Sequence, residues 1–409
     1  MKSDTVDAIH DATLKARELL TTEISQQLEG IYGLLPSGRF NPVAEYPALS
    51  NIPEAAETRR RLEIHLADEQ QAGLTAQQAR EKLVKEAAFT WLNRLVAFKM
   101  METRRLLRQT VTRVQESNGF KMWLTEPGNE THYRDYEAGD LPQDGLGEGP
   151  RQRAYRRFLL AQCARLAQEV HVLFDPDNLA SRLCPRPQGL LELTALLNDD
   201  QLQEAWQPGS EETIGWVYEA FNAEELEQAF REVRLAKKKF EASDIPSVTQ
   251  LFTPRWIVRF LVENTLGRMW MNMHPDSQLE AKLEYLVPKD GRRPIPLKSA
   301  REITLLDPAC GTMHFGLVAF DLFVEMYWEE MANAGKPGWP QKPPLDEEEQ
   351  IPAAIVAHNL DGIDIDLRAV QLSALTLYLK ARTLNPKASM RESRSTLPAV
   401  TWWIFSCKA

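Results

Sequence analysis

No stretch of this 409-residue chain approaches the roughly 18 uninterrupted apolar residues that a membrane span requires. Its opening, Met1-Lys2-Ser3-Asp4-Thr5-Val6-Asp7, carries charge where a secretory signal would be apolar. Membrane and secreted classes are therefore not expected, and a reducing cytoplasm is. Cysteine is scarce: Cys163, Cys184, Cys310 and Cys407 form no C-x-x-C pair and have no histidine at ligand spacing, which excludes a disulfide framework and a structural zinc site. A uniform basic coat is also missing, since the formal net charge is -10. That leaves room for a local basic channel within an acidic whole. What is abundant is apolar material: 43% of the residues are hydrophobic, enough for a substantial core. The length corresponds to roughly two to four domains.

Alternating β-branched runs are rare up to about residue 240, and helical periodicity broken by polar or Pro-rich punctuation takes their place. Leu19 to Ile31 is one amphipathic candidate. A long helix is predicted over Gln77–Gln115, with Phe89, Trp91, Leu92, Leu95, Val96, Phe98 and Met101 on its apolar side. Thr125 to Arg151, rich in Gly, Asp, Glu and Pro, reads as an exposed loop; helices follow at about 152–170 and, as a pair, over 210–240, with Ile214, Trp216, Val217 and Phe221 as core positions. No internal repeat is visible.

The composition changes after Ser243. Gln250-Leu251-Phe252-Thr253-Pro254 leads into a helix through Trp270, with Ile257, Phe260, Leu261 and Leu266 at helical spacing. Ile303 to Leu306 reads as a short buried strand, Asp307-Pro308-Ala309-Cys310-Gly311-Thr312 as a tight turn, and 313–332 as a helix. The acidic, Pro-rich stretch from Gly335 to Glu349 interrupts. A helix, the strand Leu360 to Asp364 and a helix from Asp366 to about Thr383 come next. Strand, helix, strand, helix is the start of a doubly wound parallel sheet, so the expected fold class is α/β behind a mostly helical N-terminal domain.

Ligands bind at the carboxyl edge of such a sheet, so the turn after Leu306 is where chemistry is expected. It is not a phosphate loop: Leu317 stands where a P-loop lysine would be and Met313 where the second dinucleotide glycine would be. What stands there is carboxylate, Asp307 after the first strand and Asp364 after the second. One carboxylate can hold an ammonium group and the other can accept from two hydroxyls. That pair fits a phosphate-free cofactor with an α-ammonium and a ribose diol, namely S-adenosylmethionine. Each part also has a plainer reading. A strand-end Asp caps helices, Thr253-Pro254 is also an N-cap followed by a first-turn proline, Cys310 reads as a small turn residue, His314 either faces the ligand or packs in its own helix, and Asp366 is expected to cap the helix after it.

Taken in order, Phe252-Thr253-Pro254, Asp307-Pro308-Ala309-Cys310-Gly311-Thr312-Met313-His314-Phe315 and Gly362-Ile363-Asp364-Ile365-Asp366 resemble the amino-group DNA methyltransferases that make N6-methyladenine, in the γ arrangement. Within that family the likeness is to the large adenine methyltransferases of phage-exclusion (BREX) systems, the PglX type. Thr90 to Phe98, Ile214 to Tyr218 and Gln250 to Trp270 support it, and the resemblance extends over roughly residues 10–385. It implies a Rossmann-like methyltransferase domain. In that domain Thr253 and Pro254 help close the cofactor pocket, Asp307, Ala309 and Gly311 border the methionine part, Asp364 binds the ribose and Ile365 lies beside the adenine, with Thr312 and Phe315 completing the S-adenosylmethionine site. No metal is expected. The implied partner is double-stranded DNA, in a restriction or phage-defence setting. The implied organisation is a helical domain over 1–243, the N-terminal half of the methyltransferase domain over 244–386, and a divergent tail over 387–409.

Two departures stand out. Gly311-Thr312-Met313 replaces the family's Gly-Ser-Gly, a modest change if Met313 already lies in the first helical turn and points away. The catalytic [DN]-P-P-[YF] is absent: Asn41-Pro42 and Asn385-Pro386 are the only Asn-Pro pairs, and neither continues correctly. The N6 amine of adenine is a poor nucleophile, and that motif would accept its hydrogen bonds and stack on the flipped base. The expectation is therefore a chain truncated before the catalytic motif, able to bind cofactor and unable to transfer methyl. A second chain carrying the rest is the other reading. Two alternatives stay open, a non-catalytic cofactor- or DNA-binding subunit and a methyltransferase for protein or small molecules. Arg94, Lys99, Arg104, Arg105, Arg108 and Arg113 on the long helix, with Arg151, Arg153, Arg156 and Arg157 near the start of the next, are candidates to track DNA phosphates; Arg104, Arg105, Arg108, Arg151, Arg156 and Arg157 lead that set. A solvated charged face is the plainer reading.

Overall fold

Apolar residues at helical spacing decide where the first helix runs. Ile9, Ala16, Leu20, Ile24 and Leu28 fall on one face of α1 (Ser3–Gly30) and are all buried. Each buried leucine or isoleucine contributes about 1.5–3 kcal/mol relative to exposure. The computed structural model describes residues 3–236, 239–240, 245–250, 253–288 and 295–388. Phe252 and nearly all of the expected tail, 389–409, lie outside them. The chain divides into two compact units, Met1–Gln207 and Pro208–Ala409.

In the first unit α1 is followed by α2 (Pro53–Gln71), α3 (Ala76–Thr103), α4 (Pro150–Leu166) and α5 (Pro187–Leu197), with shorter helical turns between them. Thr75 starts α3 through a capping box, its hydroxyl accepting from the Gln78 N–H at 3.2 Å while the Gln78 side chain accepts from the Thr75 N–H at 2.9 Å. Every residue from Ala87 to Met101 is buried, so α3 is the unit's central helix rather than a half-exposed one. Its two buried cations, Arg94 and Lys99, are hydrogen-bonded. Arg94 donates to the Leu173 carbonyl and to Ser181 Oγ, each at 2.9 Å, and Lys99 donates to Asn198 Oδ1 at 2.6 Å.

The long helix predicted over Gln77–Gln115 therefore ends early, at Thr103. Arg105 takes a left-handed φ of 59°, the Leu106 N–H turns back to the Met101 carbonyl at 2.9 Å, and the Glu102 carboxylate accepts the backbone N–H groups of Thr110, Val111 and Thr112. Arg104, Arg105, Arg108 and Arg113 consequently lie beyond the helix. The stretch expected as a loop over Thr125–Arg151 contains a helix, Glu130–Ala138, with no buried residue.

In the second unit α6 (Thr213–Phe221) and α7 (Ala223–Ala236) come first, then α8 (Ile245–Thr249), α9 (Arg255–Val262), a π-helical turn (Glu263–Gly267) and α10 (Arg268–Met273). The core stripe of this run is Val258, Val262, Leu266 and Trp270, whereas Phe260 and Leu261, expected inside, are exposed. After it come β1 (Leu305–Asp307), α11 (His314–Asn333), α12 (Ile351–His358), β2 (Leu360–Gly362) and α13 (Leu367–Leu384). The strands pair in parallel, Leu305 with Leu360 and Asp307 with Gly362. Two helices, α11 and α12, thus separate the parallel strands and α13 follows them, in a mostly helical protein whose described sheet has two strands. The first strand is not buried as expected: Leu306 is 57% exposed, because among the described residues no further layer covers it. Phe320, Phe323 and Tyr327 of α11 and Ile355 of α12 close the core.

Candidate functional site

Two backbone bonds zip together the segments that leave the strands. The Ile363 N–H donates to the Asp307 carbonyl at 2.9 Å, and the Cys310 N–H donates to the Ile363 carbonyl at 3.0 Å. Gly362 permits this approach, since a β-carbon there would stand 3.0 Å from Cys310 Sγ and 3.2 Å from Met313 Sδ. Gly311 follows with a left-handed φ of 53° and aims its N–H at Asp364 Oδ2, 2.9 Å away. The Asp366 N–H donates to Asp364 Oδ1 at the same distance. The Asp364 carboxylate is therefore fixed between the two turns by one N–H on each oxygen.

These turns form one wall of a cavity of about 370 Å³, a volume typical of small-molecule sites. Of the nine cofactor residues expected from sequence, Thr253, Ala309, Gly311, Thr312, Phe315, Asp364 and Ile365 line it. Asp307 and Pro254 do not, though Asp307 immediately precedes the lining Pro308 and Pro254 immediately follows the lining Thr253. Asp307 Oδ1 accepts the Ala309 N–H at 3.2 Å. Burial pushes its carboxyl above the ordinary aspartate value and the nearby Asp364 charge adds to this, while the Ala309 N–H opposes it. Pro254 is itself the N-cap of α9 with no side-chain bond, so the plainer reading of Thr253 as that cap does not hold. Asp366 does cap α13, accepting from the Arg368 N–H at 2.9 Å. Burial pushes the Cys310 thiol up to about 12, which makes it a packed turn residue rather than a nucleophile. Met313 is not in the first helical turn; it is the left-handed residue before α11, wholly buried.

The opposite wall was not legible in the motifs. Gly215, Tyr218 and Glu219 of α6, with Thr249 and Gln250 after it, line the same cavity. His314 lines it from the first turn of α11, with Nε2 3.5 Å from Glu212 Oε1. Burial raises the Glu212 carboxyl, but the His314 bond and the Arg255 charge outweigh it and hold the group below its ordinary value. The spacing 215, 218, 219 marks one helical face, the sequence signal that identifies these residues together. Among the described residues no group of three or more His, Cys, Asp or Glu side chains is placed to hold a metal.

The arginines expected to meet phosphate all lie in the first unit and divide by burial. Arg104 is buried and donates to the Gln207 carbonyl at 2.8 Å. Arg156 bonds Glu148 at 2.9 Å and Glu54 at 3.2 Å, and Arg157 bonds Glu54 at 2.7 Å. Arg151 donates to the Tyr136 carbonyl and lies over its ring. Arg105 and Arg108 are exposed.

Comparison with known proteins shows what the chain is similar to. The chain is 31% identical over 75% of its length to the adenine-specific methyltransferase BrxX of Escherichia coli O9:H4 (strain HS). It is likewise 31% identical over 75% of its length to the adenine-specific methyltransferase PglX of Lacticaseibacillus casei (strain Zhang). The chain is PglX-like. The resemblance carried by the three motifs is thus found again across most of the sequence. The PglX-like chain spans about a quarter of the length of these relatives, 25% and 26% respectively. No protein-family model matches it. Among the described residues, no helix is long and apolar enough to cross a membrane.

Proposed function

We propose that the second unit binds S-adenosylmethionine in this cavity, as the cofactor-holding part of an adenine-N6 DNA methyltransferase of the phage-defence type. Residues 244–386 are read as the N-terminal half of its Rossmann-like domain, with α6 added to the pocket. The observation that carries the proposal is the Asp364 carboxylate. A carboxylate has about four acceptor positions and two here are taken by backbone N–H groups, so two remain for a ribose diol. Ile365, 61% exposed beside it, offers an apolar surface to a base. Asp307, next to the turn, suits an ammonium group, whose charge would offset the burial that raises its carboxyl. Bound cofactor supplies an electrophilic methyl group; the residues here bind and orient it.

Isothermal titration of the chain with S-adenosylmethionine tests this directly. Binding is expected, with at least about a tenfold loss in Asp364→Ala, since two charge-assisted bonds disappear. No binding by the parent, or equal binding by the variant, would count against the assignment. Methyl transfer is a separate matter, because [DN]-P-P-[YF], the motif that activates the amine, occurs nowhere in the 409 residues. A methylation assay on adenine-containing duplex DNA is expected to show none, and detectable transfer would overturn the argument from that motif.

DNA phosphate contacts are assigned to Arg105, Arg108, Arg151 and Arg157, with Arg104 and Arg156 holding structure in their part-buried bonds. The compartment is read as cytoplasmic. Double-stranded DNA, a chain bearing the catalytic and target-recognition parts, and other phage-defence proteins are the partners this reading implies.

A further inference from the structure

We propose that Tyr218 is a positioning residue for the ribose-binding carboxylate, which makes α6 a working part of the cofactor pocket; this rests on the cofactor reading of the cavity. The Tyr218 hydroxyl, buried, donates to Asp366 Oδ2 at 2.7 Å. Asp366 in turn donates its N–H to Asp364 Oδ1 at 2.9 Å. One helix therefore sets, through one intervening residue, the direction of the carboxylate that lines the cavity. Burial pushes the Tyr218 phenol well above its ordinary value and the Asp366 charge adds to this, so the hydroxyl stays a donor at neutral pH.

The same helix reaches the turn by a second route. Arg368 Nη2 donates to Asp366 Oδ2 at 2.7 Å, and its Nη1 donates to Asn222 Oδ1 at 2.7 Å. Asn222 Nδ2 donates to Gln250 Oε1 at 2.9 Å, and Gln250 Nε2 to the Glu219 carbonyl at 3.1 Å. Gln250 lines the cavity and precedes Thr253, which lines it too. Asp364 and Ile365 on one side and Gln250 on the other are thus referenced to a single rigid element. Preorganisation of this kind is felt as affinity for the group the carboxylate binds.

The test compares S-adenosylhomocysteine with its analogue lacking the 2′- and 3′-hydroxyls, by titration calorimetry on the full chain and on Tyr218→Phe. The parent is expected to prefer the ribose compound. In Tyr218→Phe the affinity for the ribose compound should fall about tenfold while that for the analogue changes less than about twofold, so the preference shrinks. In an Asp364→Ala background, Tyr218→Phe should have no further effect on either ligand. Equal losses for both ligands, an unchanged preference, or additive losses in the double variant would each overturn the positioning role. So would a Tyr218→Phe chain that does not fold, because the hydroxyl would then serve the fold and not the site. A parent that binds neither compound would sink the cofactor reading itself, an outcome distinct from the others.

Discussion

Met313 sits at φ 68°, a conformation that costs a residue with a β-carbon about 1–2 kcal/mol, yet its side chain is wholly buried. The two facts have one cause. The thioether folds back over Gly316, where a β-carbon would lie 2.6 Å from Met313 Cγ, and reaches Gly362 beneath the turn. Methionine is thus retained for packing at a position where glycine suits the backbone. Removing a buried side chain of this size costs about 2–5 kcal/mol, more than the strain it relieves. Met313→Gly is therefore expected to destabilise the second unit by roughly 1–3 kcal/mol, and Met313→Ala by more, because alanine keeps the strain and loses the packing. Equilibrium urea unfolding reads the order; alanine more stable than glycine would show that backbone strain is not stored there. The motif text revealed that a glycine was missing. It did not reveal the handedness of the residue replacing it, which depends on what packs against it.

Strands this short, three residues each, hold their register through what lies beside them. Asn359, the residue before β2, is wholly buried. Its Nδ2 donates to the carbonyls of Ala300 and Ile303, both at 2.7 Å, its Oδ1 accepts from the Tyr327 hydroxyl at 3.0 Å, and its own carbonyl accepts from the Leu305 N–H at 2.7 Å. Asn359→Ala leaves two carbonyls and a hydroxyl without these partners, an expected loss of roughly 2–4 kcal/mol measured by thermal or urea unfolding. A loss below about 0.5 kcal/mol would mean water replaces the amide. At this scale the order β1, α11, β2, α13 was legible, because small residues and carboxylates punctuate it. The inward face of α9 was less so. Its sequence offers two apolar stripes, Val258 and Val262 against Phe260 and Leu261, and periodicity alone does not choose between them. The early end of α3 was hidden for a related reason. Glu102 stops the helix by accepting N–H groups from Thr110 to Thr112, and no local pattern announces a carboxylate that bends the chain back on itself.

Across the whole molecule the charge of -10 concealed how the arginines are used. Arg156 stands in a run of basic residues, but one of its partners, Glu54, is 102 positions away in sequence, so the pairing is visible only once the chain is folded. Such pairs tie stability to pH in both units. In the first, burial raises the Glu23 carboxyl, but its bonds to Arg186 outweigh this and hold it below the ordinary value. In the second, Arg368 and Tyr218 outweigh burial at Asp366 in the same way. A carboxyl lowered on folding contributes stability that is fully present above its unfolded value, near 4, and is lost as pH falls through the folded value. Glu23→Gln should therefore weaken the first unit at pH 7, and Asp366→Asn the second, with each deficit against the parent shrinking as the pH drops below about 4. Hydrogen exchange followed peptide by peptide over residues 3–207 and 208–388 separates the two contributions. A deficit that stays constant from pH 7 to the acid limit would show that these carboxylates act through packing and not through their charge.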